Sequence, residues 1–141
     1  MANEKIVECL NEILEHELAG VVRYTHYALM VFGHNRIPIC SWLRTQAQES
    51  LAHADQVGEH ITSLEGHPSL RIGKLLESNT HRINDILKES LDHEKGQVAL
   101  YIKLLGIVQD KSIMLEEFAR TMIAEEEVHI SEVQKMLRES K

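Results

Sequence analysis

The sequence predicts an all-α protein, a four-helix bundle with one long crossover between its second and third helices. Three observations predict this fold. The 141 residues include only two prolines and seven glycines, the two residue types that most disfavour helix interiors. Apolar residues recur every three or four positions in four long stretches, as on the buried face of a helix. The connections between these stretches are short, long and short, which is the pattern of a bundle with one crossover. We expect a single domain over residues 1–141.

The first two helices are predicted at about residues 3–33 and 38–64. Asn3 is a suitable N-cap for the first helix, and Pro38 suits the first turn of the second. Gly66 follows the second helix as a stop signal. The inward face of the first helix comprises Ile6, Leu10, Ile13, Glu17, Gly20, Tyr24, Tyr27 and Val31. The inward face of the second comprises Ile39, Leu43, Gln46, Ser50, His53, Val57, His60 and Leu64.

The connection from Gly66 to Ser78 contains two glycines and Pro68, and we expect it to be non-helical. Thirteen extended residues span about 43 Å, whereas a helix of 26 residues is about 39 Å long. The connection can therefore cross the whole length of the bundle, so that the second and third helices run parallel.

The third helix is predicted at about residues 79–108, and the fourth from a cap at Asp110 or Ser112 to about Glu139. Glu126 and His129 of the fourth helix lie about 60° apart around the axis, a separation at which both can bind one metal ion. The inward face of the third helix comprises Ile83, Leu87, Ser90, Glu94, Val98, Tyr101, Leu105 and Val108. That of the fourth comprises Leu115, Phe118, Met122, Glu126, His129, Val133 and Met136.

Counted from the turns, the inward carboxylates and imidazoles all fall near the middle of their helices. Such groups are strongly unfavourable in an apolar core unless something compensates them. We therefore expect one or two divalent cations between them, and carboxylate with imidazole suits iron or manganese. The predicted donors are Glu17, His53, Glu94, Glu126 and His129.

These residues give the sequence a resemblance to the ferritin-like di-iron carboxylate superfamily, and most closely to the bacterioferritins. That superfamily places one Glu on each of two helices and a Glu-x-x-His on each of the other two. The most specific match is His53-Ala54-Asp55-x-x-x-Glu59-x-Ile61-x-x-Leu64-Glu65-Gly66-x-Pro68, which resembles the second bacterioferritin helix. Three further segments resemble the first, third and fourth bacterioferritin helices. In that order they are Glu17-Leu18 with Tyr24, Ile83-x-x-Ile86-Leu87-x-x-x-Leu91-x-x-Glu94, and Glu126-Glu127-x-His129-Ile130.

The resemblance implies oxidation of Fe(II) by O2 or H2O2 at a di-iron site, for iron storage or detoxification, with manganese or zinc as substitutes for iron. It implies that Glu94 and Glu126 are bridging or chelating carboxylates and that Glu17 is a terminal ligand. His53 and His129 would be terminal nitrogen ligands, and the same five residues would be the catalytic ones. The assembly would be at least a homodimer or a larger cage.

The sequence departs from the bacterioferritin pattern at three places. Ser50 stands where a Glu is expected three residues before His53, and Leu51 stands where the haem-ligating Met is expected, so we expect no haem. The sequence also ends at Lys141, near the expected start of a fifth helix. Glu49 is an alternative metal ligand if the second helix rotates or bulges; otherwise it is a solvated or interface residue, and one metal position is weak.

Two other functions stay open, a rubrerythrin-like di-iron peroxidase and a structural protein with a degenerate metal site. The net charge of −7 argues against nucleic-acid binding, and no apolar run approaches the roughly 20 residues of a membrane span. The two cysteines form no CxxC pair, which favours the cytoplasm.

We expect the other histidines discussed below and both cysteines to lie in the core, at an interface or on the surface, outside the predicted donor set. His93 is expected to be exposed, and would substitute as a ligand if the register of the third helix were shifted by one residue. His60 is expected in the core or at an interface, and Cys9 in the core. Cys40 is expected near the first turn, beside Trp42. Surface positions are expected for three other histidines, His16, His26 and His34.

Overall fold

The computed structural model describes residues 2–75 and 77–138, which form four α-helices and no strand. The predicted all-α four-helix architecture is therefore confirmed. Pro38 lies in the first turn of its helix as expected, but Asn3 lies inside the first helix instead of capping it. The helices are α1 (Ala2–Met30), α2 (Arg36–Ser63), α3 (Ile83–Val108) and α4 (Ile113–Leu137).

Left-handed backbone conformations precede both α3 and α4, and the predicted start of α3 was wrong. Helix α3 begins at Ile83 and not at Asn79, because Asn79 has a φ of 59° that no right-handed helix contains. Of the two candidate caps of α4, Asp110 has a φ of 64°, and Ser112 is the N-cap whose side chain accepts a backbone hydrogen bond. The predicted end of α4 at Glu139 lies outside the described residues.

Helix α2 ends in a Schellman motif, in which two amide groups beyond the helix bond back to its last carbonyls. The amide of Gly66 donates to the Ile61 carbonyl at 2.9 Å, and the residue before it, Glu65, has the left-handed φ of 61°. Gly66 is needed for a different reason, since an added Cβ would lie 2.8 Å from the Val7 side chain. The predicted stop signal is therefore also the point where α2 meets α1 closely.

The long connection is fastened along α1. The Asn11 side chain donates to the His67 carbonyl at 3.1 Å and accepts from the Ser69 amide at 2.8 Å. Further along, the Gly73 amide donates to the Glu15 carbonyl at 2.9 Å, and an added Cβ at Gly73 would lie 3.1 Å from that same oxygen. The chain thus returns along α1 to the end where α2 began, and α2 and α3 run parallel as predicted.

The core consists of two apolar clusters with a polar layer between them. The larger cluster includes residues of all four helices, among them Leu10, Val57, Tyr101 and Met122. The smaller includes Tyr27, Val31, Leu43 and Ile86. The intervening layer holds buried Glu17, Ser50, His53, Glu94 and Glu126. None of the helices in the described part of the chain is long and apolar enough to span a membrane.

Cys9 and His60 lie in apolar surroundings, as expected, and Cys40, near the first turn, lies in the smaller apolar cluster against which Trp42 packs. Cys9 and Cys40 are both buried, and the Cys40 thiol donates a hydrogen bond to the Ala28 carbonyl at 3.0 Å. The half-buried ring of His60 packs against Phe118, with 4.5 Å between the ring centroids. These side chains are at a distance from the polar layer along their helices, and we assign them no part in it.

Candidate metal centre

The polar layer brings the five predicted donor residues together as two triads that share one carboxylate. Glu17, His53 and Glu126 form the first triad, and Glu94, Glu126 and His129 form the second. Within each triad, one ligand atom from each residue lies within 4.8 Å of the others. Glu126 is only 3% exposed, so a carboxylate common to both triads sits in the middle of the bundle.

His53 turns one ring nitrogen toward the shared carboxylate and the other toward the half-exposed Glu125. Its Nδ1 lies 3.0 Å from Glu17 Oε2 and 3.5 Å from Glu126 Oε1, whereas its Nε2 lies 3.2 Å from Glu125 Oε2. Burial alone would lower the pKa of His53, but the carboxylates of Glu126 and Glu17 outweigh it and raise the pKa to about 10. Without a metal ion, this imidazole is therefore held as a cation among carboxylates.

His129 has the same arrangement on the other side of the layer. Its Nδ1 lies 3.9 Å from Glu126 Oε2, and its Nε2 lies 2.9 Å from Glu49 Oε2. Helix α2 is continuous through Glu49, without the bulge that would carry this carboxylate into the donor set. Glu49 belongs to neither triad and contacts the outer nitrogen of His129 instead, so its role as a metal ligand stays a prediction.

Hydroxyl groups hold the two carboxylates that come from α1 and α3. The Tyr24 hydroxyl donates to Glu94 Oε1, and the Tyr101 hydroxyl donates to Glu17 Oε2 at 2.9 Å. Ser50 places its hydroxyl 3.1 Å from Glu17 Oε1 and 2.7 Å from the Glu17 carbonyl oxygen. Ser50 thus holds the Glu17 carboxylate by a hydrogen bond, whereas a glutamate at position 50 would have added a further carboxylate to the layer.

Burial and neighbouring carboxylates raise the pKa values of two carboxyl and two phenol groups in this layer. Burial raises the pKa of Glu17. Burial, reinforced by the neighbouring Glu126, raises the pKa of Glu94 well above its ordinary value. Burial and the adjacent carboxylates also raise the pKa values of Tyr24 and Tyr101 well above the usual range. The layer therefore carries more negative charge than its dry surroundings tolerate, and it binds protons in compensation.

Two atoms of the layer test whether a cation fits it. Within the described residues, the buried Glu126 Oε2 has no hydrogen-bond partner, and the buried His53 Nδ1, although 3.0 Å from Glu17 Oε2, makes no aligned hydrogen bond. Such orphaned polar atoms are rare in proteins. They flank a cavity of about 10 Å³, close to the volume of one small bound species. A cation would give both atoms a partner, and the carboxylate and imidazole donors are those that bind iron or manganese.

His93 was expected to be exposed, and it is buried. Its ring stacks on His16 with the centroids 4.0 Å apart, and His16 Nδ1 lies 2.6 Å from Gln97 Oε1. His16 is itself half-buried, so its expected surface position was also wrong. Burial, together with the charges of His16 and Arg23, lowers the pKa of His93 to about 2. Neither histidine belongs to a donor triad.

Small residues facing these rings were the signal that the sequence analysis missed. A Cβ at Gly20 would lie 3.0 Å from His93 Nε2, and a Cβ at Gly96 would lie 3.2 Å from His16 Nε2. A glycine in the inward stripe of α1 predicts a large neighbour on the facing helix. Glu125 gave no comparable signal, because it lies beside the apolar stripe of α4 and is half exposed.

Comparison with known proteins relates most of the chain to one family of helical proteins. A family model described as a ferritin-like domain matches residues 7–141. The bacterioferritin of Rhodobacter capsulatus is 24% identical over 131 residues, which cover 89% of this chain and 78% of that protein.

Solved structures agree with the fold. A ferritin-like di-iron carboxylate protein from Bacillus anthracis has a TM-score of 0.92 at 22% identity, over 98% of this chain and 99% of that one. A dodecameric thioferritin from Bacteroides fragilis has a TM-score of 0.88 at 23% identity, over 95% and 84%. The bacterioferritin of Desulfovibrio desulfuricans, whose structure describes a di-iron site, has a TM-score of 0.88 at 18% identity, over 96% and 80%. At such identities the likeness establishes a shared fold.

Proposed function

The chain belongs to the ferritin-like domain family, and on that premise we propose that it binds iron at the centre of the bundle and oxidises Fe(II) there with O2 or H2O2. The observation that carries the proposal is the position of Glu126, buried and common to two donor triads. The purpose that we propose is iron storage or detoxification, as the resemblance to bacterioferritins implies. Manganese or zinc would be substitutes with the same donor preferences.

The proposed ligands divide between two metal positions. Glu17 and His53 serve one, Glu94 and His129 serve the other, and Glu126 serves both. When bound there, paired iron ions would supply the electrons that reduce the oxidant. The protein's own part is to keep five donors on four helices turned toward one small cavity.

Outer contacts set the orientation of each imidazole. Glu125 lies against Nε2 of His53, and Glu49 lies against Nε2 of His129. A metal-binding histidine commonly donates its other ring N–H to a carboxylate, which fixes both the tautomer and the ring plane. We propose that Glu49 anchors His129 in this way and that Nδ1 is the ligand atom of both histidines.

Protons must leave the layer when a cation enters. Metal binding requires a deprotonated imidazole nitrogen and ionised carboxylates, so an entering cation displaces the proton held on His53 and acts against the burial that raises the pKa values of Glu17 and Glu94. Tyr24 and Tyr101 donate hydrogen bonds to those same two carboxylates. These hydroxyls hold the carboxylate oxygens in place while the charge of the layer changes.

We propose that the chain acts as a homo-oligomer, a dimer or a larger cage. One similar protein is described as dodecameric, and large apolar side chains are exposed on this chain. They include Leu29, Phe32, Ile37, Leu70, Ile113 and Met114. The mass of the protein in solution distinguishes a dimer from a cage. Storage of a mineral needs a hollow assembly, and a dimer encloses no cavity for it.

Oxidation of Fe(II) by the purified protein, followed optically in air, tests the proposed reaction. We expect Glu126→Gln to slow oxidation and to lower the bound iron, since it removes the charge common to both triads. Glu127→Gln, an exposed neighbour on the same helix, is the matched control and should behave as the parent does. Equal rates and equal iron content in all three proteins would refute the assignment and favour a structural protein with a degenerate site.

The same preparation separates storage from a peroxidase. A storage protein should retain oxidised iron in its particle after Fe(II) and air are added, which sedimentation measures. A rubrerythrin-like peroxidase should instead consume H2O2 repeatedly with an external electron donor and retain no more than the iron of its site.

A further inference from the structure

A second group of metal-binding side chains lies outside the bundle centre. His26 Nε2 is 2.8 Å from Glu77 Oε1, and His81 Nε2 is 2.6 Å from the same oxygen. Ligand atoms of the three residues all lie within 4.8 Å of one another. Two imidazoles therefore converge on one carboxylate oxygen.

The three residues are brought together by the end of the long connection. His26 lies near the carboxyl end of α1, whereas Glu77 and His81 lie in the segment that leads into α3. Contacts outside the group hold this segment in place. The Arg23 guanidinium donates to the Lys74 carbonyl at 2.9 Å, and the Ser78 amide and hydroxyl both approach Glu89 Oε2, the hydroxyl at 2.8 Å.

We propose that His26, Glu77 and His81 bind a divalent transition-metal ion, with Zn²⁺ as the best-suited probe. Two imidazoles and one carboxylate are a common three-residue ligand set for zinc, which binds each at about 2.0–2.2 Å. Ligands at that radius stand slightly further apart than the present contacts, so a small outward shift of the side chains admits the ion. The side chains of His26 and Glu77 are 40% and 37% exposed, which leaves them free to make that shift and lets water complete the coordination.

The ion would tie the long connection to α1. Without it, the segment before α3 is attached to α1 through hydrogen bonds that water can replace. Metal–ligand bonds at the same place contribute their binding free energy to the closed form of the segment. We therefore expect Zn²⁺ to slow local opening of residues 77–82, independently of the proposed oxidation of Fe(II) at the bundle centre.

Two measurements on the intact protein test the site. Anomalous scattering from crystals grown with zinc should show a peak between the three side chains. Hydrogen exchange of residues 77–82 should slow when zinc is added to the parent protein and to Glu126→Gln, which leaves the surface group intact. His81→Gln and Glu77→Gln should lose both the peak and the slowing, whereas His34→Gln, an exposed histidine on the α1–α2 turn, should keep them.

The opposite outcomes are equally clear. Absence of an anomalous peak at these side chains overturns the proposal, as does slowing that persists in both His81→Gln and Glu77→Gln. Slowing that is lost in Glu126→Gln would assign the effect to the bundle centre and would also overturn it.

Discussion

Glu49 on α2 lies against His129 on α4, with 2.9 Å between Oε2 and Nε2. The contact has a counterpart in the opposite direction, because Glu125 on α4 lies 3.2 Å from His53 Nε2 on α2. Each helix thus supplies a histidine to the centre and a half-exposed glutamate that holds the histidine of the other. The inner nitrogens of both histidines face Glu126.

Removal of the Glu49 carboxylate should weaken the metal position of His129. We expect Glu49→Ala to lower metal affinity or oxidation rate by about 10–100-fold, the usual effect of losing an outer partner of a ligating histidine. Glu59→Ala, an exposed position on the same helix, should have no effect. Metal titration of both variants measures this, and an unchanged Glu49→Ala protein would show that His129 needs no anchor.

A glutamate at position 50 should not improve the site. Ser50 is buried, and a Cβ on the facing Gly20 would lie only 2.5 Å from the Ser50 hydroxyl. Ser50→Glu therefore overfills this space and brings another carboxylate beside Glu17. We expect a loss of about 1–3 kcal/mol in the unfolding free energy of the metal-free protein, measured with urea, and no gain in oxidation rate. Faster oxidation would show that one metal position lacks a ligand.

Two helical glycines should respond oppositely to the same substitution. An added Cβ at Gly20 meets Ser50 and His93, whereas Gly58 has no atom within 4 Å of its added Cβ. We expect Gly58→Ala to stabilise the protein by about 1 kcal/mol through helix propensity. Gly20→Ala should destabilise it, because overpacking costs about 1–3 kcal/mol. Thermal unfolding of both variants compares them, and a stabilised Gly20→Ala protein would refute the close packing.

The metal-free protein should lose stability as the pH rises above neutral. The pKa of His53 is raised from 6.5 to about 10 in the folded protein, so its stabilising contribution is complete below pH 6.5 and is lost as the pH rises through about 10. The pKa values of Glu17 and Glu94 are also raised, so they act in the same direction from about pH 4.5 upward.

Urea unfolding at several pH values between 7 and 10 measures this slope. One proton more in the folded state corresponds to a fall of about 1.4 kcal/mol per pH unit. His53→Gln should reduce the slope by up to that amount. A stability that is constant or rising over this range would contradict the inferred protonation of the polar layer.

Purified protein should show no Soret absorption, because Leu51 replaces the Met that ligates haem in bacterioferritins. Leu51 lies on the surface of α2 and is 49% exposed, and its hydrocarbon side chain has no sulfur atom to ligate haem. A stoichiometric Soret band in protein expressed with excess haem would show that another residue ligates it.

Apolar periodicity predicted the helices and the level of the site because both follow from the regular rise and turn of an α-helix. It predicted Glu17, Glu94 and Glu126 as inward groups for the same reason, and all three are buried. It placed the start of α3 too early, because the left-handed conformation of Asn79 has no signature in an apolar pattern.

Side-chain reach accounts for most of what periodicity could not predict. Glu49 and Glu125 lie beside the apolar stripes, and their flexible side chains bring the carboxylates back to the histidines. His93 also lies beside a stripe, but space opposite Gly20 allows its ring to be buried. The single domain, the cytoplasmic location and the absence of haem stay predictions.

The two donor triads differ in how much of the chain must be assembled to form them. Glu94, Glu126 and His129 all belong to the hairpin of α3 and α4. Glu17 and His53 belong to the hairpin of α1 and α2, and their triad is complete only after Glu126 arrives from the other hairpin. During refolding, the triad of Glu94, Glu126 and His129 can therefore form within the hairpin of α3 and α4 alone. The other triad can form only after the two hairpins, joined by the long connection, come into contact.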